Sequence, residues 1–185
     1  PCGGRGLSAP IAEQIESGST CGKAIVVGEH AVVYGARAVA MPLHSMQVSL
    51  QIRKRHGLIF KPRVRMFLAG VPVSDHLLGI VDDAAELLGI KLGALDFHGT
   101  SSVLIGAGLG SSAAICVVVL KTLATFYGIS LTPLEIATLA TDLERRFHGN
   151  PSGLDTAVVS FEKVVSFKKG NTPVPIKITA PKNAP

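Results

Sequence analysis

The sequence is poor in the residues that mark several classes of protein. Among its 185 residues it has no tryptophan, two tyrosines and three cysteines, and only 17% of the residues are charged. The cysteines, Cys2, Cys21 and Cys116, are too few and too widely spaced for a disulfide framework or a cysteine-rich zinc site. We therefore expect the protein to occupy a reducing compartment, the cytoplasm.

Long apolar runs are missing as well. The stretch "AAICVVVL" (113–120) ends at Lys121, short of the roughly 18–20 apolar residues that a membrane span needs. The opening "PCGGRGLSAP" lacks the apolar core of a secretory signal. We expect no membrane partner and interpret residues 1–20 as a flexible lead.

The positive charge is modest and mostly dispersed. The formal net charge is +5, and the closest groupings of basic residues are Arg53, Lys54 and Arg55, and Lys61, Arg63 and Arg65. Without interleaved aromatic residues, such groups are more typical of a solvated strand face than of a nucleic-acid surface. We expect no nucleic-acid partner, although the positive balance suits an anionic ligand such as a nucleotide.

Hydrophobic patterning predicts an α+β protein with a substantial core, since 47% of the residues are hydrophobic. The segment "QVSLQIR" (47–53) alternates as a half-buried antiparallel strand does. Helical spacing covers 74–89, strand character returns at 95–106, and an almost wholly apolar helix is predicted from Ser112 to Tyr127. Thr132 and Glu135 form a capping-box pattern at the start of another helix.

Beyond that helix the pattern becomes less regular. The runs "TAVVS" (156–160) and "KVVSF" (163–167) resemble short strands, and residues 171–185 are interpreted as an irregular tail or the truncated start of a next segment. We expect one domain over residues 21–170, with an antiparallel or mixed sheet and helices packed on one side.

The segment "LIGAGLGSSAA" (104–114) places three glycines and two serines between a strand and the apolar helix. Such a loop can be a sharp turn or a cradle for an anion at a helix N-terminus. The dinucleotide fingerprint fails because position 111 is serine and no acidic residue lies about 20 residues beyond the loop. The P-loop pattern also fails, since three residues separate Gly18 from Gly22 and Ala24 follows Lys23.

Three segments in order resemble the motifs of the GHMP kinase superfamily, named for galactokinase, homoserine kinase, mevalonate kinase and phosphomevalonate kinase. They are "GKAIVVGEHAVVYG" (22–35), "GAGLGSSAA" (106–114) and "HGNPSGLDTAV" (148–158), and the mevalonate kinase branch is the most similar. The resemblance implies the family's N-terminal domain, which is like domain 2 of ribosomal protein S5. Leu104 departs from the family's usual Pro or Lys. The second glycine-rich segment of the C-terminal GHMP domain has no counterpart before Pro185, so we expect that domain to be absent.

The resemblance implies an ATP- and Mg²⁺-dependent kinase acting on the primary hydroxyl of mevalonate, a small-molecule substrate of isoprenoid biosynthesis. A sibling activity, such as that of phosphomevalonate kinase, and a truncated relative that binds nucleotide without turnover stay open. By analogy with relatives it also implies a homodimer.

Site roles follow from the same resemblance. Asp155 and Lys23 are the implied catalytic residues, and Ser112 and Glu144 are the implied Mg²⁺ ligands. The ATP phosphates would contact Gly106, Ala107, Gly108, Leu109, Gly110, Ser111 and Ser112. Mevalonate would contact Lys23, Glu29, His30 and Asp155, while the turn before Asp155 would be shaped by His148, Asn150 and Ser152.

Alternatives without a role in catalysis or binding stay open for several of these residues. Glu144 could instead be a surface partner of Arg145 or Arg146. Lys23 and Asp155 could form a purely structural ion pair, and His30 could be structural.

Overall fold

The computed structural model describes residues 14–29, 31–55, 62–68, 71–72 and 74–177. Within these ranges, seven strands form one sheet, and four α-helices are accompanied by one short 3₁₀ helix at Ala31–Tyr34. The strands are β1 (Ile15–Val27), β2 (Arg37–Lys54), β3 (Arg63–Leu68), β4 (Val71–Pro72), β5 (Leu95–Ser101), β6 (Val165–Lys168) and β7 (Val174–Pro175). The helices are α1 (Ser74–Leu87), α2 (Ser111–Phe126), α3 (Pro133–His148) and α4 (Leu154–Phe161).

The long strand β2 organises the sheet. Along one edge it pairs with β1, and the strand order through β2 is β4-β3-β5-β2-β6-β7. All pairings are antiparallel except β3 with β5, which is parallel. The sheet is therefore mixed, as expected, and the alternation of 47–53 sets its two faces.

One face of the sheet packs against the helices. Val48, Leu50 and Ile52 are each at most 1% exposed and belong to the same core cluster as most of α2. Burial of every residue from 113 to 120 explains the continuous apolar run there, whereas Lys121 and Thr125 lie on the more exposed side of the helix. Among the described residues, every helix is too short or too polar to span a bilayer.

The predicted start of α3 is confirmed by its hydrogen bonds. The Thr132 hydroxyl accepts from the Glu135 amide at 3.3 Å, and the Glu135 carboxylate accepts from the Thr132 amide at 2.7 Å. This capping box satisfies two backbone donors that a helix start leaves unpaired. The capped helix carries Glu144 near its other end, so the box fixes the element that holds a site residue.

Two boundary predictions are wrong. Residues 15–20 belong to β1, not to a flexible lead, because their backbone pairs with β2 from Ile15 opposite Arg53 onward; residues 1–13 lie outside the described ranges. The sheet also continues past residue 170, since β7 pairs with β6.

The run "TAVVS" is helical rather than a strand. It lies within α4, which starts after Gly153 with φ of 87° and ends before Glu162 with φ of 50°. Val158 and Val159 are fully buried, and a short run that is apolar on every side carries no periodicity to separate helix from strand.

Candidate active site

The glycine loop connects β5 to α2. Gly106, Gly108 and Gly110 all have positive φ, between 71° and 74°, and Gly110 is the N-cap residue of α2. The first amides of a helix lack partners within it and carry the positive end of its dipole. The loop therefore ends at a group of backbone donors suited to an anion, as the cradle interpretation requires.

Lys23 on β1 is held against this loop at two points. Its amide donates to the carbonyl oxygen of Leu109 at 2.9 Å, and its aliphatic chain crosses directly over Gly110. A Cβ built at Gly110 would lie 2.7 Å from Lys23 Cγ, and φ there is 72°. Glycine is thus required at 110 both for the left-handed backbone and for the passage of the lysine.

The end of that lysine chain meets Asp155. Lys23 Nζ lies 3.0 Å from Asp155 Oδ2, and the lysine side chain is only 4% exposed while that of the aspartate is 32% exposed. Asp155 is in the first turn of α4, where the helix dipole favours a negative charge. The N-cap residue of this helix is Gly153, and the Ser152 hydroxyl just before it accepts from the Leu154 amide at 3.2 Å.

Burial and charge act in opposite directions on Asp155. Burial raises the pKa of this carboxyl above its ordinary value, and the negative charge of Glu29 adds to the rise. The positive charge and hydrogen bond of Lys23 act to lower the same pKa, as the sequence predicts, but they do not cancel the effect of burial. The net result is a carboxylate that accepts a proton more readily than an exposed aspartate does.

Glu144 is the second buried carboxyl of this region. It is 8% exposed, and burial together with the charge of Asp155 raises its pKa to about 7, against the lowering effects of a hydrogen bond with Ser112 and of the charge of Lys23. The alternative of a surface ion pair is wrong for Glu144. Its neighbours are engaged elsewhere, Arg145 with Asp142 and Arg146 with Asp83 and Glu86.

The helices that carry the two carboxyls are joined by a pair of threonines that sequence reasoning missed. The hydroxyls of Thr141 on α3 and Thr156 on α4 are 2.6 Å apart. Thr141 also lies 2.8 Å from the Ala137 carbonyl oxygen and Thr156 lies 3.1 Å from that of Gly153. Thr141 is one helical turn before Glu144 and Thr156 adjoins Asp155, so this contact helps to fix the separation of the carboxyls. Nothing in the local sequence distinguishes these threonines from ordinary helix residues.

The remaining predicted residues are less tightly defined. Glu29 is exposed in the turn that follows β1 and is close enough to influence Asp155. His30 lies outside the described residues. Asn150 is exposed in the turn before α4, and His148 is the last residue of α3.

Ser112 and Glu144 offer oxygen ligands of the kind that Mg²⁺ prefers. Ser112 is close enough to Glu144 to lower the pKa of that carboxyl, and the charges of Lys23 and Asp155 act on it as well. No group of three or more His, Cys, Asp or Glu side chains in the described ranges is arranged to hold a metal by itself. The two residues therefore fit a cation that takes its other ligands from phosphates and water, as Mg²⁺ commonly does.

The raised pKa of Glu144 predicts a pH-dependent stability in metal-free buffer. Because the folded state holds this proton more tightly than the unfolded state, its contribution to stability is present at low pH and is lost as pH rises from the ordinary value of 4.5 to about 7. The loss is at most ~1.4 kcal/mol per pH unit. Denaturant unfolding of Glu144→Gln should show a weaker fall of stability over this range.

Asp142→Asn is the matched control, since it removes an exposed carboxylate from the same helix. The control should keep the wild-type dependence on pH. An unchanged dependence in Glu144→Gln would show that this carboxyl does not titrate abnormally.

Comparisons with known proteins indicate the family and the fold that this chain resembles. Residues 76–163 match the family model described as GHMP kinases N terminal domain. The mevalonate kinase of Thermococcus sibiricus is 30% identical over 167 residues, which cover 80% of this chain and 50% of that relative. That of Pyrococcus horikoshii is 30% identical over 166 residues, with the same coverage. The chain thus spans about half the length of these curated relatives.

Solved structures show the same fold. The mevalonate kinase of methicillin-resistant Staphylococcus aureus MRSA252 matches with a TM-score of 0.72 and 29% identity, over 90% of this chain and 57% of that one. The phosphomevalonate kinase of Streptococcus pneumoniae matches with a TM-score of 0.67 and 21% identity, over 84% and 48% of the two chains, which is a likeness of fold alone. The resemblance drawn from the three motifs and the fold class that it implies are confirmed.

Proposed function

We propose that this chain, which belongs to the GHMP kinases through the N-terminal domain matched at residues 76–163, transfers the γ-phosphoryl group of ATP to the primary hydroxyl of mevalonate. The observation that carries the proposal is the ion pair of Lys23 with Asp155, at 3.0 Å, beside the start of α2. Relatives of about 30% identity that bear the name mevalonate kinase support the choice of acceptor.

In this proposal the glycine loop holds the phosphates of the nucleotide. Backbone amides from Gly106 to Ser112 bind the phosphates at the N-terminus of α2. These amides have no partners within the helix and already point toward the anion, so they need not reorient when it binds. Ser112 and Glu144 hold Mg²⁺, which when bound neutralises charge on the phosphates. The pKa of Glu144 is about 7. A neighbouring cation lowers this pKa, so the carboxylate is ionised when it is a ligand.

Asp155 and Lys23 act on the acceptor. Asp155 accepts a hydrogen bond from the hydroxyl and so orients its oxygen toward the γ-phosphorus. As the new O–P bond forms and the bond to the ADP oxygen breaks, the hydroxyl proton moves to an Asp155 carboxylate oxygen. Phosphoryl transfer depends mainly on position and charge, so a base that receives its proton late suffices. Lys23 stabilises the negative charge on the transferred group.

A panel of acceptors tests the proposal. ADP release is measured with mevalonate, phosphomevalonate, galactose and homoserine, using this chain and a longer form of the protein where one is found. We expect mevalonate to be the preferred acceptor. If phosphomevalonate were preferred, the proposed substrate would be wrong but the proposed reaction class would stand. If no acceptor gave ADP in an intact, ATP-binding preparation, the proposal would be contradicted.

A second candidate is nucleotide binding without turnover. It is favoured by one observation, that the chain spans about half the length of its curated relatives. Calorimetric titration of this chain with Mg·ATP, with and without mevalonate, followed by an ADP-release assay on the same sample, separates the two. Binding without ADP release supports the second candidate, and binding with ADP release supports the kinase.

A further inference from the structure

The face of the sheet turned away from the helices carries a second group of charged and polar residues. Strand register aligns it in three rows across β1, β2, β5 and β3. The rows are Ile15, Arg53, Asp96 and Arg63; then Ser17, Gln51, His98 and Arg65; then Ser19, Ser49, Thr100 and Phe67. We call this surface the outer face.

Positive charge dominates one half of the outer face. Arg53, Arg63 and Arg65 are exposed there, and the carboxylate among them, Asp96, lies 3.8 Å from Arg55. Within the described ranges, the side chains of Arg63 and Arg65 take part in no ion pair or hydrogen bond. Like charges on neighbouring positions of one sheet face repel each other, so a bound anion would relieve an unfavourable arrangement.

Two adjoining depressions follow the rows. One of about 320 Å³ is lined by the three arginines together with Gln51, Asp96, Phe97 and His98. The other, of about 350 Å³, shares Gln51 and His98 and is otherwise lined by Ser17, Gly18, Ser19, Ser49, Leu50 and Thr100. The surface therefore has an arginine-rich half and a hydroxyl-rich half, joined by an amide and an imidazole.

The spacing of the arginines suits a phosphate group. Arg63 and Arg65 are two residues apart on one strand, about 6.6 Å between Cα atoms, so both guanidinium groups can reach one phosphate. Each can donate two parallel hydrogen bonds to it.

The arginine-rich half of this surface is distant from the candidate active site, whereas Thr100 in its hydroxyl-rich half directly precedes Ser101 and lies on the more exposed face of β5. Asp96 is near the start of β5, whereas the glycine loop follows its end at Ser101, about 17 Å along the strand. The ion pair of Lys23 and Asp155 also involves none of its residues.

We propose that the outer face binds a phosphorylated small molecule that carries hydroxyl groups, such as a sugar phosphate. Its phosphate contacts Arg63 and Arg65, and its hydroxyls lie along Gln51, Ser49 and Thr100. The proposal does not depend on the kinase activity proposed above.

Calorimetry with ribose 5-phosphate and with inorganic phosphate tests the proposal on the intact chain. We expect ribose 5-phosphate to bind more tightly than phosphate, because only it reaches the hydroxyl-rich half. The double variant Arg63→Gln/Arg65→Gln should weaken its binding at least tenfold. The control Lys163→Gln/Lys168→Gln removes the same charge from two exposed lysines elsewhere and should change affinity less than twofold. Circular dichroism verifies that both variants fold.

Four outcomes would overturn the proposal. They are unchanged affinity in the arginine variant, an equal loss in the lysine control, competition by Mg·ATP that places the ligand at the glycine loop, and no binding of ribose 5-phosphate. A short single-stranded RNA that binds through Arg63 and Arg65 while ribose 5-phosphate does not would show a nucleic-acid surface instead.

Discussion

Replacing Asp155 with asparagine is expected to lower the rate of phosphoryl transfer by about 10²–10⁴-fold, the range typical of a lost general base. Asparagine keeps the size of the side chain and still accepts a hydrogen bond, but it cannot receive the hydroxyl proton. The affinity for Mg·ATP should stay within about twofold, because under the proposed function the nucleotide is bound by the backbone of the glycine loop. ADP release and calorimetry measure the two effects separately, in a preparation whose activity with the wild-type sequence has been established.

Asp142→Asn is the control for this substitution. It also converts an aspartate to asparagine, but at an exposed position paired with Arg145, and it should leave turnover unchanged. Turnover within tenfold of wild type in Asp155→Asn would remove this residue from the proposed role.

Replacing Lys23 with methionine should lower turnover by about 10²–10³-fold, as does removal of one preorganised donor from a buried site. It should also move the pH dependence in a definite direction. The charge of Lys23 lowers the pKa of Asp155, so its loss raises that pKa further. The acidic limb of kcat/KM should therefore shift to higher pH in the variant.

Lys121→Met is a matched control for Lys23→Met. Lys121 also forms an ion pair at 3.0 Å, with Glu162, but both side chains are about 40% exposed, and exposed pairs contribute little. Its turnover and pH profile should match wild type. A lowered rate without any shift of the acidic limb would mean that Lys23 does not act on Asp155.

The elements of this fold differ in how far their sequence specifies them. The start of α3 is predictable because its capping box is formed by residues only three positions apart. The buried residues of β2 are predictable because apolar and polar residues alternate along the strand. The helix α4 is not, since its residues 156–159 are all buried in succession and show no period that would distinguish a helix from a strand. The strand over 15–20 is recognised only through its pairing with β2, which runs from Ile15 opposite Arg53 to Thr20 opposite Val48, far along the sequence.

The candidate site shows the same division. The glycine loop is visible in the sequence as three glycines before an apolar helix, but the pairing of Lys23 with a residue 132 positions later came from a family resemblance and not from patterning. The threonine pair of Thr141 and Thr156 has no sequence signal, because a contact between two helices depends on their packing. From the sequence alone, Arg63 and Arg65 are typical of a solvated strand face. Only the strand register places Arg65 beside His98 and Arg63 beside Asp96.

The contact of Lys23 with the glycine loop makes the two halves of the site thermodynamically dependent. One residue bonds to the loop through its amide, passes its side chain over Gly110 and ends at Asp155. The loop and the ammonium group are therefore linked through a single residue. Thermodynamic linkage is reciprocal. If a bound nucleotide changes the affinity for the acceptor by some factor, a bound acceptor changes the affinity for the nucleotide by the same factor. The order in which the two arrive then affects the pathway of assembly but not the stability of the ternary complex.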